Sequence, residues 1–149
     1  MEGLNMFAPK NILVPTDFSS SSDKALKRAV DIALQHKSKI YVLHVVDEIM
    51  QCAVDYCLDI SVVKQVEKQS LKFAGEKLRK MVKALPKGMQ VAVDIKMGDT
   101  YETILKEQQR KRIDLIVIAS RGKKGLIHHL GSVADKVMRG AKCPVLLVK

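Results

Sequence analysis

Two short runs of this chain carry the residue types that chemistry on a phosphorylated small molecule would use. The first is Val14-Pro15-Thr16-Asp17, which presents a hydroxyl and a carboxylate directly after an apolar run. The second is Ala119-Ser120-Arg121-Gly122-Lys123-Lys124-Gly125, followed by Gly131-Ser132. A glycine loop between a strand and a helix exposes backbone amides, and the helix start adds positive potential, so the pair favours phosphate. Arg121, Lys123 and Lys124 strengthen that field. Ser132-x-x-Asp135 also has capping-box form, so Ser132 could simply cap its helix, and Gly122 and Gly125 could simply make turns. Both readings stay open at this level.

Other candidates point to less. His128 and His129 are adjacent, so on a helix they diverge by about 100° and read as solvated or loop histidines, not as metal ligands. His44 lies inside an apolar run near its end and is expected to be a packed histidine with one hydrogen bond, since no matched nucleophile is visible. Ser19 to Ser22 offer a helix cap first and phosphorylation sites second. Cys52, Cys57 and Cys143 are odd in number with no export signal, which predicts reduced thiols without a metal. The chain has no Gly-x-x-x-x-Gly-Lys-Ser/Thr loop and no second acidic strand motif, so at most slow nucleotide turnover is expected.

The elements that would position these residues follow from hydrophobic periodicity. A strand begins at Asn11 to Val14, and the serines after Asp17 start a helix with Leu26, Ala29, Val30 and Ala33 at helical spacing. Lys39 to Val46 is the second strand, after which 47–60 reads as an irregular excursion. A long helix is predicted from about Ser61 to Leu85, stopped by Pro86 and Gly88, and then a strand from Gln90 to Lys96. Gly98 and Asp99 turn, Thr100 is a candidate cap, and a short helix runs to the basic cluster Arg110 to Arg112. Asp114 to Ala119 reads as a central buried strand. The glycine loop leads to a helix finishing near Gly140, and Cys143 to Lys149 closes the chain as a fifth strand.

Alternating strands and helices imply parallel order with right-handed crossovers. The expected fold is a single-domain α/β doubly wound three-layer sandwich over residues 1–149, its five-stranded parallel sheet ordered 3-2-1-4-5. In such sheets ligands sit beyond the carboxyl ends of strands where strand order reverses, which is where Asp17 and the glycine loop would meet.

Bulk composition fits. With 149 residues, 47% hydrophobic and 28% charged, the chain is long enough for one sizeable core. No apolar run approaches the ~20 residues of a membrane span, and Met1 to Lys10 lacks a signal-peptide core, so a cytoplasmic, non-membrane protein is expected. The balance of 26 basic to 16 acidic residues gives +10, enough to attract polyanions. The basic residues are spread over several helices, and three Phe, three Tyr and no Trp supply little for base stacking, so specific nucleic-acid binding ranks last.

Asn11-Ile-Leu-Val-Pro-Thr-Asp17, Leu43-His-Val45, Gly131-Ser-Val-Ala-Asp-Lys-Val137 and Cys143-Pro-Val-Leu-Leu-Val148, in that order, resemble the universal stress protein family over nearly the whole chain. The resemblance implies an adenine nucleotide site. Asp17 would hydrogen-bond the ribose or assist a magnesium ion, Pro15 and Thr16 would line the adenine side, and Val45 would meet adenine through its backbone. Gly122, Gly131, Ser132 and Val133 would hold phosphates, with Ala119, Arg121 and Gly125 completing the loop.

Members that bind ATP look like Gly-x-x-Gly, nine residues, then Gly-Ser or Gly-Thr. Here Ala119 replaces the first glycine and only eight residues, Lys123 to Leu130, separate Gly122 from Gly131. The added methyl and the shorter loop predict weakened binding. The resemblance also implies a homodimer through the final strand, Val145, Leu146, Leu147 and Val148, an apolar edge that invites pairing. Two functions therefore compete: a stress or signalling module binding ATP, ADP or AMP with little turnover, and a dimeric interaction protein of the same fold that has lost nucleotide and acts through protein partners.

Overall fold

The computed structural model describes residues 6–48, 54, 59–122 and 129–149. Five strands, β1 (Asn11–Pro15), β2 (Lys39–Val46), β3 (Val91–Met97), β4 (Leu115–Ala119) and β5 (Val145–Val148), form one sheet. All pairs are parallel, and the order is β3-β2-β1-β4-β5, as the alternation of elements predicts. The strand order reverses between β1 and β4. These two are the apolar runs of the sequence, and from Ile12 to Pro15 and from Leu115 to Ala119 every residue is buried. A strand covered by helices on both faces needs side chains that lose nothing on leaving water.

Helices α1 (Ser20–His36) and α2 (Ile60–Lys83) cover one face; α3 (Thr100–Arg110) and α4 (Ser132–Gly140) cover the other. Alternation along the strands divides the core accordingly. Ile12, Val14, Val42 and Val117 meet Leu26, Ala29 and Leu78, whereas Leu13, Leu43, Ile116 and Ile118 meet Ile104 and Val137. No helix among the described residues is long and apolar enough to cross a membrane.

Several boundaries differ from the sequence reading, each for a local polar reason. Helix α2 starts one residue earlier than Ser61 because the Asp59 carboxylate accepts the Ser61 amide at 2.7 Å. Thr100 does not cap α3: Asp99 does, accepting the Glu102 amide at 2.9 Å, while the Thr100 hydroxyl donates to Asp47. Asp114 lies outside β4, its carboxylate accepting the amides of Lys10 and Asn11 at 2.9 and 2.8 Å and tying the starts of β1 and β4 together. Ser132 is the first residue of α4 and Gly131 its N-cap, with no side-chain capping bond. The predicted capping box therefore does not form, and Asp135 pairs instead with Arg139 at 3.1 Å.

Gly140 ends α4 by close packing. A Cβ there would lie 2.7 Å from Leu105 Cδ1 and 3.0 Å from the Tyr101 hydroxyl, so α3 and α4 approach over a missing side chain. Away from the cores, Glu107 of α3 is 5% exposed and accepts from Arg110 at 2.9 Å and Lys111 at 3.1 Å. The Lys111 ammonium also meets Asp94 of β3 and lies over the Tyr41 ring at 5.1 Å. This charged cluster fastens the end of α3 to the β2–β3 side of the sheet.

Candidate functional site

The turn after β1 is built from side chains that bond their own backbone. The Thr16 amide donates to Leu43 of β2 at 2.8 Å, continuing the ladder past Pro15. Its hydroxyl is buried, accepting the Phe18 amide at 3.1 Å and sharing a hydrogen bond with Ser22. Thr16 thus buttresses the turn and the start of α1 from inside. Asp17 Oδ1 accepts the Ser19 amide at 3.0 Å, and the Ser19 hydroxyl accepts the Ser22 amide to cap α1. Between them Phe18 has φ 61°, left-handed backbone that bulky residues rarely adopt. Its ring rests on His44, centroids 4.4 Å apart, and His44 Nδ1 bonds the Thr16 carbonyl oxygen at 2.8 Å. His44 is the packed histidine that its strand position predicts.

The turn after β4 comes to the same place. An ideal Cβ on Gly122 would stand 2.7 Å from Asp17 Oδ2, so the carboxylate after β1 occupies the space a side chain at Gly122 would need. Gly131 closes the loop's neck: its amide donates to the Ser120 carbonyl at 2.7 Å, and a Cβ there would be 3.5 Å from Arg121 Cα and 3.8 Å from the Gly122 nitrogen. Asp17, Gly122 and Gly131 therefore meet at one point, at the reversal between β1 and β4. The shorter loop has not prevented its ends from meeting. Helix α4 starts there too, and the first-turn amides of Ser132, Val133 and Ala134 have no partner within a helix.

The remaining predicted residues fall around this point in different ways. Pro15 is buried at the end of β1, and Arg121 lies half-buried in the loop's neck. Val45 stands near the end of β2 and packs, like Val133, against the α3–α4 core. Ala119 is 8% exposed and belongs to the opposite core, beneath α1. Its methyl is therefore accommodated by the α1 side of the sheet. Gly125, Lys123, Lys124 and His128, like Cys52 and Cys57, lie outside the described residues; His129 is exposed. Cys143 is half-buried, and burial pushes its thiol up from the usual value, as suits an unreactive thiol.

Among the described residues no group of His, Cys, Asp and Glu could by itself hold a metal ion. What the described residues bring to this point is the Asp17 carboxylate, Gly122 beside it and the start of α4, whose first-turn amides have no partner within the helix. Sequence reasoning expected Asp17, Gly122 and Gly131 to lie together, as they do, but missed Phe18 and the inward role of Thr16. A left-handed phenylalanine leaves no compositional signal, and a hydroxyl's direction depends on its neighbours.

Comparison with known proteins matches this architecture. The model of the universal stress protein family matches residues 9–149. Universal stress protein MJ0531 of Methanocaldococcus jannaschii is 32% identical over 148 residues, covering 99% of this chain and 85% of that one. The solved structure of MJ0577, from the same organism, superimposes with a TM-score of 0.84 at 30% identity, covering 96% of this chain and 97% of the other. A universal stress protein solved in complex with cAMP shares the fold, with a TM-score of 0.63 at 22% identity over 96% and 98% of the two chains. A matched sheet order, a loop neck closed at the strand reversal and a family pattern running from Pro9 to the last residue agree: the chain belongs to the universal stress protein family.

Proposed function

We propose that this protein is a stress-response or signalling module that binds an adenine nucleotide (ATP, ADP or AMP) at the carboxyl ends of β1 and β4, with little or no turnover. The observation that carries the reading is the convergence of Asp17, Gly122 and Gly131 beside the start of α4. Backbone amides at a helix start suit phosphate, while Asp17, one oxygen held by the Ser19 amide, has the other beside Gly122. That oxygen suits a ribose hydroxyl, or a magnesium ion whose remaining positions are taken by phosphate and water. The nucleotide in the cAMP-bound neighbour supports an adenine ligand. Pro15, Thr16 and Val45 would stand on the adenine side; Arg121, Gly122, Gly125, Gly131, Ser132 and Val133 would surround the phosphates.

A thermal-shift titration tests this directly. Nucleotide about a hundredfold above its dissociation constant stabilises by about 2.7 kcal/mol. For a chain of this size that raises Tm by about 5–10 °C. Unchanged Tm with millimolar ATP, ADP and AMP, magnesium present, would overturn the proposal. Mass spectrometry of ligands released from freshly purified protein identifies the nucleotide without assuming it.

The same reading makes the protein a cytoplasmic homodimer paired through β5. That strand is the sheet's outer edge, and Leu146 is 39% exposed on it. An apolar edge of this kind gains from antiparallel pairing with a second copy. Leu146→Lys is expected to shift sedimentation toward monomer at micromolar concentration. A variant that still sediments wholly as dimer rules this interface out.

A further inference from the structure

Helices α1 and α2 share one face of the sheet, α1 mainly over β4, β1 and β5 and α2 over β2 and β3, with β2 touched by both. Between them runs a groove. Its larger part has a volume of about 730 Å³ and a floor that includes Leu26, Val30, Met81 and Leu85. A second part, about 240 Å³, shares Asp23 and Met81 with it and continues toward Phe18 and Lys77. Leu34, one turn beyond Val30 on α1, is 56% exposed and prolongs the apolar strip.

The rim has a sign. Lys24 and Lys27 border the groove from α1, and Lys77 and Lys80 from α2, against the carboxylate of Asp23. A second acidic residue there, Asp31, is already paired with Arg28 at 3.6 Å. An apolar floor inside a basic rim matches a ligand with one apolar face and acidic flanks.

The groove's walls also select the ligand's backbone. One wall is α1, the other is the end of α2 with the turn Ala84 to Pro86, and the edge strand β5 enters the lining only with Val148 and Lys149. Along the helical walls amides and carbonyls are satisfied internally, so an extended peptide would find little ladder to join and must keep its own groups paired. From Lys77 to Lys83 the helical wall is about 9 Å long at 1.5 Å per residue, close to the about 10 Å between anchors at i and i+7 of a helix. Small-molecule sites, by contrast, converge fixed polar groups on an enclosed centre, and this floor has none. We propose that the α1–α2 groove is a docking site for an acidic amphipathic helix of a partner protein.

The test uses the full-length protein and fluorescence anisotropy. The probe is a labelled synthetic helix with leucines at i, i+3, i+4 and i+7 and glutamates on its other faces; controls are its scrambled form and a single-stranded oligonucleotide of equal charge. Saturable binding is expected, about tenfold tighter than for the scrambled peptide. Binding should weaken about tenfold in Lys27→Glu/Lys80→Glu and in Leu34→Glu. All three positions are exposed, and an unchanged Tm shows that the fold is intact. Lys106→Glu/Lys142→Glu makes the same charge change away from the groove and should leave binding within about twofold.

Four results would overturn the proposal. They are no saturation below about 1 mM, equal binding of the scrambled peptide, equal weakening by the Lys106/Lys142 pair, and tighter oligonucleotide binding lost in the same groove variants. The last would assign the groove to nucleic acid.

Discussion

Gly122→Ala is expected to destabilise the protein and abolish nucleotide binding together, because the new methyl would stand 2.7 Å from Asp17 Oδ2. Neither partner moves cheaply. Asp17 is held through Oδ1 by the Ser19 amide, and Gly122 is tied through the loop's neck to Ser120 and Gly131. Overpacking a fixed contact costs about 1–3 kcal/mol, which thermal denaturation would read as a Tm loss of about 2–10 °C. The diagnostic measurement is the double variant. Asp17→Ala removes the atom that clashes, so Gly122→Ala in that background should cost at least about 1 kcal/mol less than in the parent protein. Nucleotide binding should stay lost, since the carboxylate itself is gone. Additive effects would show that Asp17 and Gly122 do not touch in solution, and with that the convergence supporting the nucleotide reading would fail.

The second large effect concerns Glu107 and acid. Burial works against its ionisation, but hydrogen bonds and charge from Arg110 and Lys111 outweigh that cost and hold the carboxyl below its ordinary value of 4.5. A carboxyl with a depressed folded pKa binds fewer protons folded than unfolded, so it stabilises above its unfolded pKa. That contribution disappears as pH falls through the lower folded value. Stability should therefore drop below about pH 4.5, and Glu107→Gln should remove this part of the acid sensitivity. At neutral pH the same substitution leaves Lys111, whose side chain is 12% exposed, with Asp94 as its remaining acidic partner, at a cost of about 2 kcal/mol. Equal denaturation midpoints for parent and Glu107→Gln at pH 7 would show that the cluster contributes nothing to the attachment of α3.

How much could be read in advance differs between the fold and the site. Ile12, Leu13 and Val14 followed by a proline, and the unbroken run Leu115 to Ala119, can be stable only where helices cover both faces, so the two central strands and the layers were legible. Cap positions were less so. Asp99 and Thr100 both qualify by type, as Gly131 and Ser132 do, and the choice turned on a single amide's direction. Capping is decided by local geometry that neighbouring positions can supply almost equally well.

Residue order alone determined the strand sequence, the crossovers and therefore the end of the sheet at which Asp17 and the glycine loop emerge, because burial periodicity and chain connectivity are properties of one dimension. Tertiary structure alone decided what those residues do there. Thr16 turns its hydroxyl inward to Ser22, Ala119 gives its methyl to the α1 side, Phe18 takes a left-handed turn against His44, and Gly122 is small because Asp17 fills its side-chain space. All but the local Thr16–Ser22 pair depend on atoms brought together from distant parts of the chain, and close packing of that kind leaves no periodic trace in sequence.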